Sequence, residues 1–426
     1  MSFLPAWRVT DAQPGRVVAP DERLPWPPMA ALGVQHVIAM FGATVLAPLL
    51  MGFDPNVAIL MSGIGTLIFF FVVGGRVPSY LGSSFGFIGV VISATGYGGH
   101  GPNANLPAAL GGIVVCGIAV ALIGLIVSAI GAAWIEALMP PVVTGSVVAV
   151  IGLNLASVPI KNMAPTAFDA WMQAVTFICV GLVAVYARGM TQRLLILVGL
   201  IAASVIYAIL TNGFGLGKPI DFAHVGSAAW FGLPAFQAPQ FSTQAILLIA
   251  PVAVILIAEN LGHIKAVSAM TERNLDPYMG RAFLGDGLAT IVSGLSGGTG
   301  VTTYAENIGV MAATKIYSTA MFIIAAAIAI ILGFSPKFGA LIQTIPLAVM
   351  GGVSIVVFGL IAVAGAKIWV VNKVDFGDNT NLIVAAITLV LGTGDYTLHF
   401  GQFTIGGIGT ATFGAILLHA LLRFRR

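Results

Sequence analysis

Long apolar runs recur along almost the whole chain, and too little charge lies between them for a water-soluble fold to hide them all. Of 426 residues, 58% are hydrophobic and 8% are charged, the balance of a polytopic membrane protein. A helix needs about 17–25 apolar residues to cross the hydrocarbon layer. Runs of that kind fall near 29–50, 57–75, 78–97, 106–130, 141–160, 170–188 and 193–212. A second set falls near 243–265, 281–298, 302–316, 318–335, 345–364, 380–397 and 404–422. The expected fold class is all-α and polytopic, with fourteen transmembrane segments. An even number puts both termini on one side. With that side cytoplasmic, only Lys161, Lys218 and Lys337 of the 18 Lys and Arg residues fall outside, in keeping with the positive-inside rule.

Residues 1–28 mix Arg8, Arg16, Arg23, Asp11, Asp21 and Glu22 with prolines, so no cleavable signal is expected and this arm reads as cytoplasmic. Cys116 and Cys179 lie in separate apolar runs and read as packing residues rather than a disulfide. The net charge of +3 names no partner, and no nucleic acid is expected.

The runs at 78–97 and 302–316 are weak as ordinary spans, and they resemble each other. PSYLGSSFGFIGV (78–90) and TTYAENIGV (302–310) both pass from a polar, glycine-bearing stretch into Ile-Gly-Val. Each is third in its set of seven. Two sets of seven cross the bilayer in opposite senses, which makes the halves an inverted repeat of the kind found in secondary transporters. Backbone that leaves helical geometry at membrane depth must be satisfied inside protein or around a cavity. Two interrupted spans meeting near the midplane therefore form a site, with free amides at the half-helix starts suited to carbonyl oxygens.

Two acidic residues lie clearly within the apolar layer, Glu259 in the eighth span and Glu306 in the tenth. Burying a charge at such a depth costs about 2.5–3.5 kcal/mol on insertion scales, so both read as ligand contacts; the plainer alternative is a polar pin between helices. His263 follows Glu259 by four residues and shares its helix face, where it can relay a proton or merely fill a satisfied position. Gln35 and His36 in the first span line a polar seam or support the site. Asp286, in GDG, reads as a helix N-cap near the interface rather than a ligand. Phe85, within GSSFG, can stack on a planar ligand or fill the core, and Tyr304 offers the same with a hydroxyl.

GSSFG and GLSGG (294–298) fit the nucleophile-elbow pattern without its strand-turn-helix setting. No P-loop, HExxH or metal-ligand cluster is present. Nothing in these patterns points to an enzyme, a metal or an organic cofactor.

Glu306, Asn307, Gly309, Thr314 and Lys315 match [QEP]-N-x-G-x-x-x-x-T-[RKG], so the chain resembles the nucleobase/ascorbate transporter family, also called nucleobase:cation symporter-2. The likeness runs through Gln35-His36, YLGSSF in the third span and AENLGH in the eighth, and is nearest to the uracil permease branch. It implies short antiparallel strands in segments 3 and 10. It also implies a core domain from 29–139 and 243–340, and a gate domain from 140–242 and 341–426. A homodimer in the bacterial inner membrane is expected, surrounded by lipid, importing a nucleobase with a proton as the coupling ion. Glu259 and Glu306 would bind the base, with Phe85, Ala305 and Tyr304 completing the pocket. His263 would assist proton coupling, and Gln35, His36, Asn307 and Gly309 would support the site. Uracil carries two N–H donors and two carbonyls on a flat ring, so two carboxylates and free amides can satisfy all four. Purine selectivity and a sulfate-transporter-type anion carrier are the alternatives within transport; an intramembrane enzyme lacks a nucleophile.

Overall fold

The structure, a computed structural model, describes residues 6–11, 16–99, 101–400 and 403–423. Residues 424–426 of the expected tail lie outside it. Two short strands, β1 (Arg8–Val9) and β2 (Glu22–Arg23), pair in parallel within the N-terminal arm. Then come α1 (Trp26–Met51), α2 (Pro55–Val72), β3 (Leu81–Ser83), a 3₁₀ turn (Phe85–Phe87), α3 (Ile88–Thr95) and α4 (Leu106–Ile130). The chain continues through α5 (Ala133–Leu138), α6 (Pro141–Leu155), α7 (Ser157–Asn162), α8 (Ala167–Tyr186), α9 (Met190–Arg193), α10 (Leu195–Ala208) and α11 (Ala223–Ser227). The second half holds α12 (Thr243–Ile249), α13 (Val252–Thr271), α14 (Met279–Leu295), β4 (Val301–Thr303), α15 (Ala305–Thr314), α16 (Ala320–Gly333) and α17 (Pro336–Gln343). It closes with α18 (Leu347–Val371), α19 (Asn379–Thr393), the hairpin β5 (Leu398–Phe400) and β6 (Phe403–Ile405), and α20 (Gly407–Arg423).

Among the described residues, eight helices are long and apolar enough to cross a membrane, or nine if the α16–α17 pair, bent by 82°, counts as one. The chain is thus a multi-pass membrane protein. The other expected spans are shorter or broken. Near 78–97 the chain forms β3, the 3₁₀ turn and α3; near 302–316 it forms β4 and α15. The expected span at 243–265 runs on to Thr271 and breaks at Ala250–Pro251, where proline cannot donate to the helical ladder. Pro336 marks the α16–α17 bend in the same way, and Ser335 accepts the amide of Phe338 to cap α17.

The helices sort into two packed groups. In the first, α14 lies along α4 and α2, and α16 lies along α2 and α1. In the second, α18 packs on α6 and α8, with α10, α19 and α20 around them. Glycines allow the close approaches. A Cβ at Gly124 would sit 2.4 Å from the Leu284 nitrogen, and one at Gly287 would sit 2.4 Å from the Ala121 nitrogen. Lipid offers no hydrophobic drive between apolar helices, so backbone proximity of this kind supplies the contact.

The N-terminal arm is fastened to the first group. The Val18 amide donates to the Lys315 carbonyl (3.0 Å) and the Tyr317 amide to the Val18 carbonyl (2.8 Å). The Trp7 indole donates to Thr319 Oγ1 (2.9 Å). Asp21 accepts from Arg273 (2.7 Å) and Arg8 (3.3 Å). Burial pushes the Asp21 carboxyl up, but its own backbone hydrogen bond, Arg273 and Arg8 together outweigh burial and hold it below the ordinary value.

Candidate functional site

The two half-helices start from one another. β3 and β4 pair antiparallel, with Leu81 opposite Thr303, Gly82 opposite Thr302 and Ser83 opposite Val301. Because the strands run in opposite senses, α3 and α15 leave the pair in opposite directions. Each starts with first-turn amides that have no partner within the helix, and these partial positive ends meet at one place.

Side chains from distant segments lock this crossing. Thr66 Oγ1 accepts the Leu81 amide (2.9 Å), and Thr290 Oγ1 accepts the Val301 amide (3.2 Å). Ser83 and Thr299 share a hydrogen bond of 2.6 Å. Tyr304 covers Gly82 so closely that a Cβ there would fall 2.5 Å from its ring. Its hydroxyl accepts from Thr44 (3.1 Å) and donates to the Ser83 carbonyl (3.0 Å). Tyr304 is therefore buried, with its hydroxyl engaged on both sides. With its proton given to Ser83 of β3 and its oxygen taken by Thr44 of α1, the phenol has no donor left for a ligand.

Glu259 and Glu306 do come together, near enough for the charge of one to act on the other. Both are half-buried. Glu259, on α13, accepts a long hydrogen bond from Ser84 (3.5 Å), whose hydroxyl also caps the Gly86 amide (3.2 Å). Glu306 occupies the first turn of α15, where a carboxylate complements the helix end. His263, one turn along from Glu259, shares a 2.9 Å hydrogen bond with Thr303 on β4. Phe85 is half-buried and meets Phe358 of the second group edge-on, at 6.3 Å between ring centres. Ala305, the first residue of α15, is exposed.

The supporting residues divide. Asn307 donates to His36 Nδ1 (2.9 Å) and to the His36 carbonyl (3.0 Å), tying α15 to α1. Gln35 is half-buried with a side-chain amide nitrogen lacking a hydrogen bond. Gly309 makes no such tie, because nothing lies within 4 Å of where its Cβ would be.

Asp286 corrects the sequence reading. It does not cap α14, which begins at Met279. It lies in the middle of that helix, fully buried, facing Asn260 of α13 and Thr302 of β4. Neither carboxylate oxygen forms a well-aligned hydrogen bond, nor do the Asn260 amide and the Thr302 hydroxyl. A third acidic group thus lies within electrostatic reach of Glu259. Among the described residues, no group of His, Cys, Asp and Glu could hold a metal ion.

A membrane bundle in which two half-helix ends and two carboxylates meet at a strand crossing is the architecture of a permease, and comparison with known proteins agrees. Residues 29–400 match the Permease family, and the chain belongs to it; it is a transporter, not an enzyme. RutG of Escherichia coli strain K12, named provisionally as a pyrimidine permease, is 67% identical over 424 residues, covering 99% of this chain and 96% of that one. A uracil permease of Paenibacillus larvae subsp. larvae is 41% identical over 420 residues, covering 95% and 96%. Of solved structures, the transmembrane domain of the cyanobacterial bicarbonate transporter BicA superposes with a TM-score of 0.62 at 16% identity, covering 86% of this chain and 96% of that one. SLC26A9 gives 0.65 at 10% identity, covering 93% and 66%. At such identities these last two speak for the fold alone.

Proposed function

We propose that this permease imports uracil, a pyrimidine nucleobase, with a proton by alternating access. The observation that carries the reading is the approach of Glu259 and Glu306 beside the N-terminal turns of the two half-helices. Uracil's two N–H groups suit the carboxylates and its two carbonyls suit the amides, so the base loses its water without leaving a polar group unpaired. Phe85 and Ala305 lie where a flat ring would rest. The substrate named for the uracil permease relatives supports the same choice.

In this reading the spans number fourteen, in two inverted repeats, the third and tenth being β3 with α3 and β4 with α15. The first packed group, from 29–139 and 243–340, is the core that carries the base; the second, from 140–242 and 341–426, is the gate. The protein works as a homodimer in the bacterial inner membrane with both termini cytoplasmic. Glu259 carries the proton, with His263 beside it and Glu306 as the alternative carrier. The fold kinship with anion transporters raises an anion reading, which two carboxylates in the site oppose.

The test is uptake of radiolabelled uracil into cells lacking their own uracil carriers, with and without a protonophore and with excess unlabelled xanthine. Protonophore-sensitive accumulation of unchanged uracil is expected. Uptake that only equilibrates across the membrane would remove the proton coupling; no uptake despite expression would remove uracil; strong xanthine competition would widen the substrate class to purines.

A further inference from the structure

Between α11 and α12 the chain runs without a helix through 228–242, and its backbone is pinned along the way. The Lys337 amide donates to the Ala229 carbonyl (2.9 Å) and the Gly232 amide to the Phe334 carbonyl (3.0 Å). The Ala235 amide donates to Asp54 Oδ2 (3.1 Å). Further on, the Gln237 amide donates to the Ser296 carbonyl (3.4 Å) and the Gln240 amide to the Pro107 carbonyl (2.8 Å). These partners are helix ends. Asp54 caps α2, Pro107 opens α4, Ser296 closes α14 and Phe334 closes α16. All four helices belong to the first packed group.

The side chains of the same segment point the other way. Trp230 is 71% exposed, Phe231 74%, Leu233 80% and Phe241 61%. In water this surface would be unfavourable. It does not lie in open water, however, because its level is set by the ends of helices that cross the membrane: α2 and α4 are both of crossing length. Aromatic rings are favoured at that boundary, where one side is apolar and the other wet. Lys337 places its ammonium 4.8 Å from the centre of the Trp230 ring, so a cation stands next to the aromatic surface, as a lipid phosphate next to acyl chain requires.

We propose that residues 229–241 are a phospholipid-binding strap, lying in the bilayer boundary with Trp230, Phe231, Leu233 and Phe241 in the glycerol and upper acyl region and Lys337 on a headgroup phosphate. The strap anchors the first packed group in depth, since four of the five backbone ties above lead to helices of that group and the fifth to α17, which follows α16. This holds whatever the transported substrate.

The full-length protein in vesicles provides the test. Tryptophan fluorescence of the unaltered chain minus that of Trp230→Phe isolates Trp230. Phosphatidylcholine brominated high on its acyl chain should quench this component roughly twofold or more, while aqueous acrylamide leaves it largely unquenched. Replacing part of the lipid with brominated phosphatidylglycerol should deepen the quenching, and Lys337→Gln should remove that gain. Free quenching by acrylamide without a lipid effect would put the strap in water; protection from both quenchers would mean that protein, such as a second copy of the chain, covers it. Either outcome overturns the proposal.

Discussion

At the scale of single residues, the weight rests on three carboxylates. Glu259 and Glu306 stood out in the sequence because charge is rare in apolar runs; Asp286 did not, because GDG reads locally as a helix start. What buries Asp286 is α14 starting at Met279, well before it, together with Asn260 and Thr302 brought in from α13 and β4. No local pattern carries that information. If Glu259 accepts an N–H of the base, Glu259→Gln exchanges a charged acceptor for a neutral amide. A hydrogen bond to a charged group is worth about 1.5–3 kcal/mol, so binding should weaken roughly 10–100-fold. Accumulation above equilibrium should also vanish. Glu306→Gln should weaken binding comparably while keeping some proton-driven accumulation. Equilibrium binding by calorimetry and uptake in a proton gradient separate the two effects; unimpaired accumulation by Glu259→Gln would move the proton to Glu306.

Single elements answer for rigidity. The α4–α14 seam works only with glycine, since a Cβ at Gly287 meets the Ala121 nitrogen at 2.4 Å and that backbone atom cannot swing aside. Gly287→Leu should cost about 1–3 kcal/mol from overpacking, seen as a lower midpoint in thermal unfolding of the detergent-solubilised protein. It should also reduce uptake, because Gly287 adjoins Asp286; an unchanged midpoint would show that the seam can open at no cost. The arm gives a pH prediction. Asp21 is held below its ordinary value in the docked arm, so its contribution is present above the ordinary carboxylate range and is lost as pH falls through the lowered value. Proteolysis within residues 6–24 of the solubilised protein should therefore stay slow at neutral pH and accelerate at strongly acid pH. Asp21→Asn should be cut faster at neutral pH; equal rates would exclude the Arg273–Asp21 pair from docking. Apolar length located the eight or nine helices of crossing length among the described residues, but not the breaks at 250–251 and 335–336, although a proline stands at each. The docking of the arm on 315–319 was not legible either, because it joins segments some three hundred residues apart.

For the molecule as a whole, the two half-helices supply a direction. α3 and α15 leave the strand pair in opposite senses, and their surfaces one turn out differ. On α3, a Cβ at Gly89 would lie 3.3 Å from Asn154 Oδ1 and 3.4 Å from Leu155, so the first group is closed against α6 of the second. On α15, Ala305 and Gly309 are exposed and Gly309 has nothing within 4 Å. The likeness of the two polar breaks was visible in the sequence, yet sequence cannot distinguish two such surfaces, because the difference lies in which half-helix the other group covers. The Gly89 face of α3 is therefore covered by α6, whereas the Gly309 face of α15, the half-helix that leads to the N-terminal arm, is uncovered. Gly309→Cys tests this. With the arm cytoplasmic, as proposed, a membrane-impermeant maleimide should modify it readily in inside-out vesicles, and substrate should protect it. A bias of about 1.4 kcal/mol toward this state suffices for roughly tenfold slower modification in right-side-out vesicles. The unaltered chain, whose Cys116 is buried and Cys179 partly so, sets the background. Equal modification from both sides would mean that the covering of Gly89 does not close the far route, and protection by substrate from the far side alone would reverse the direction.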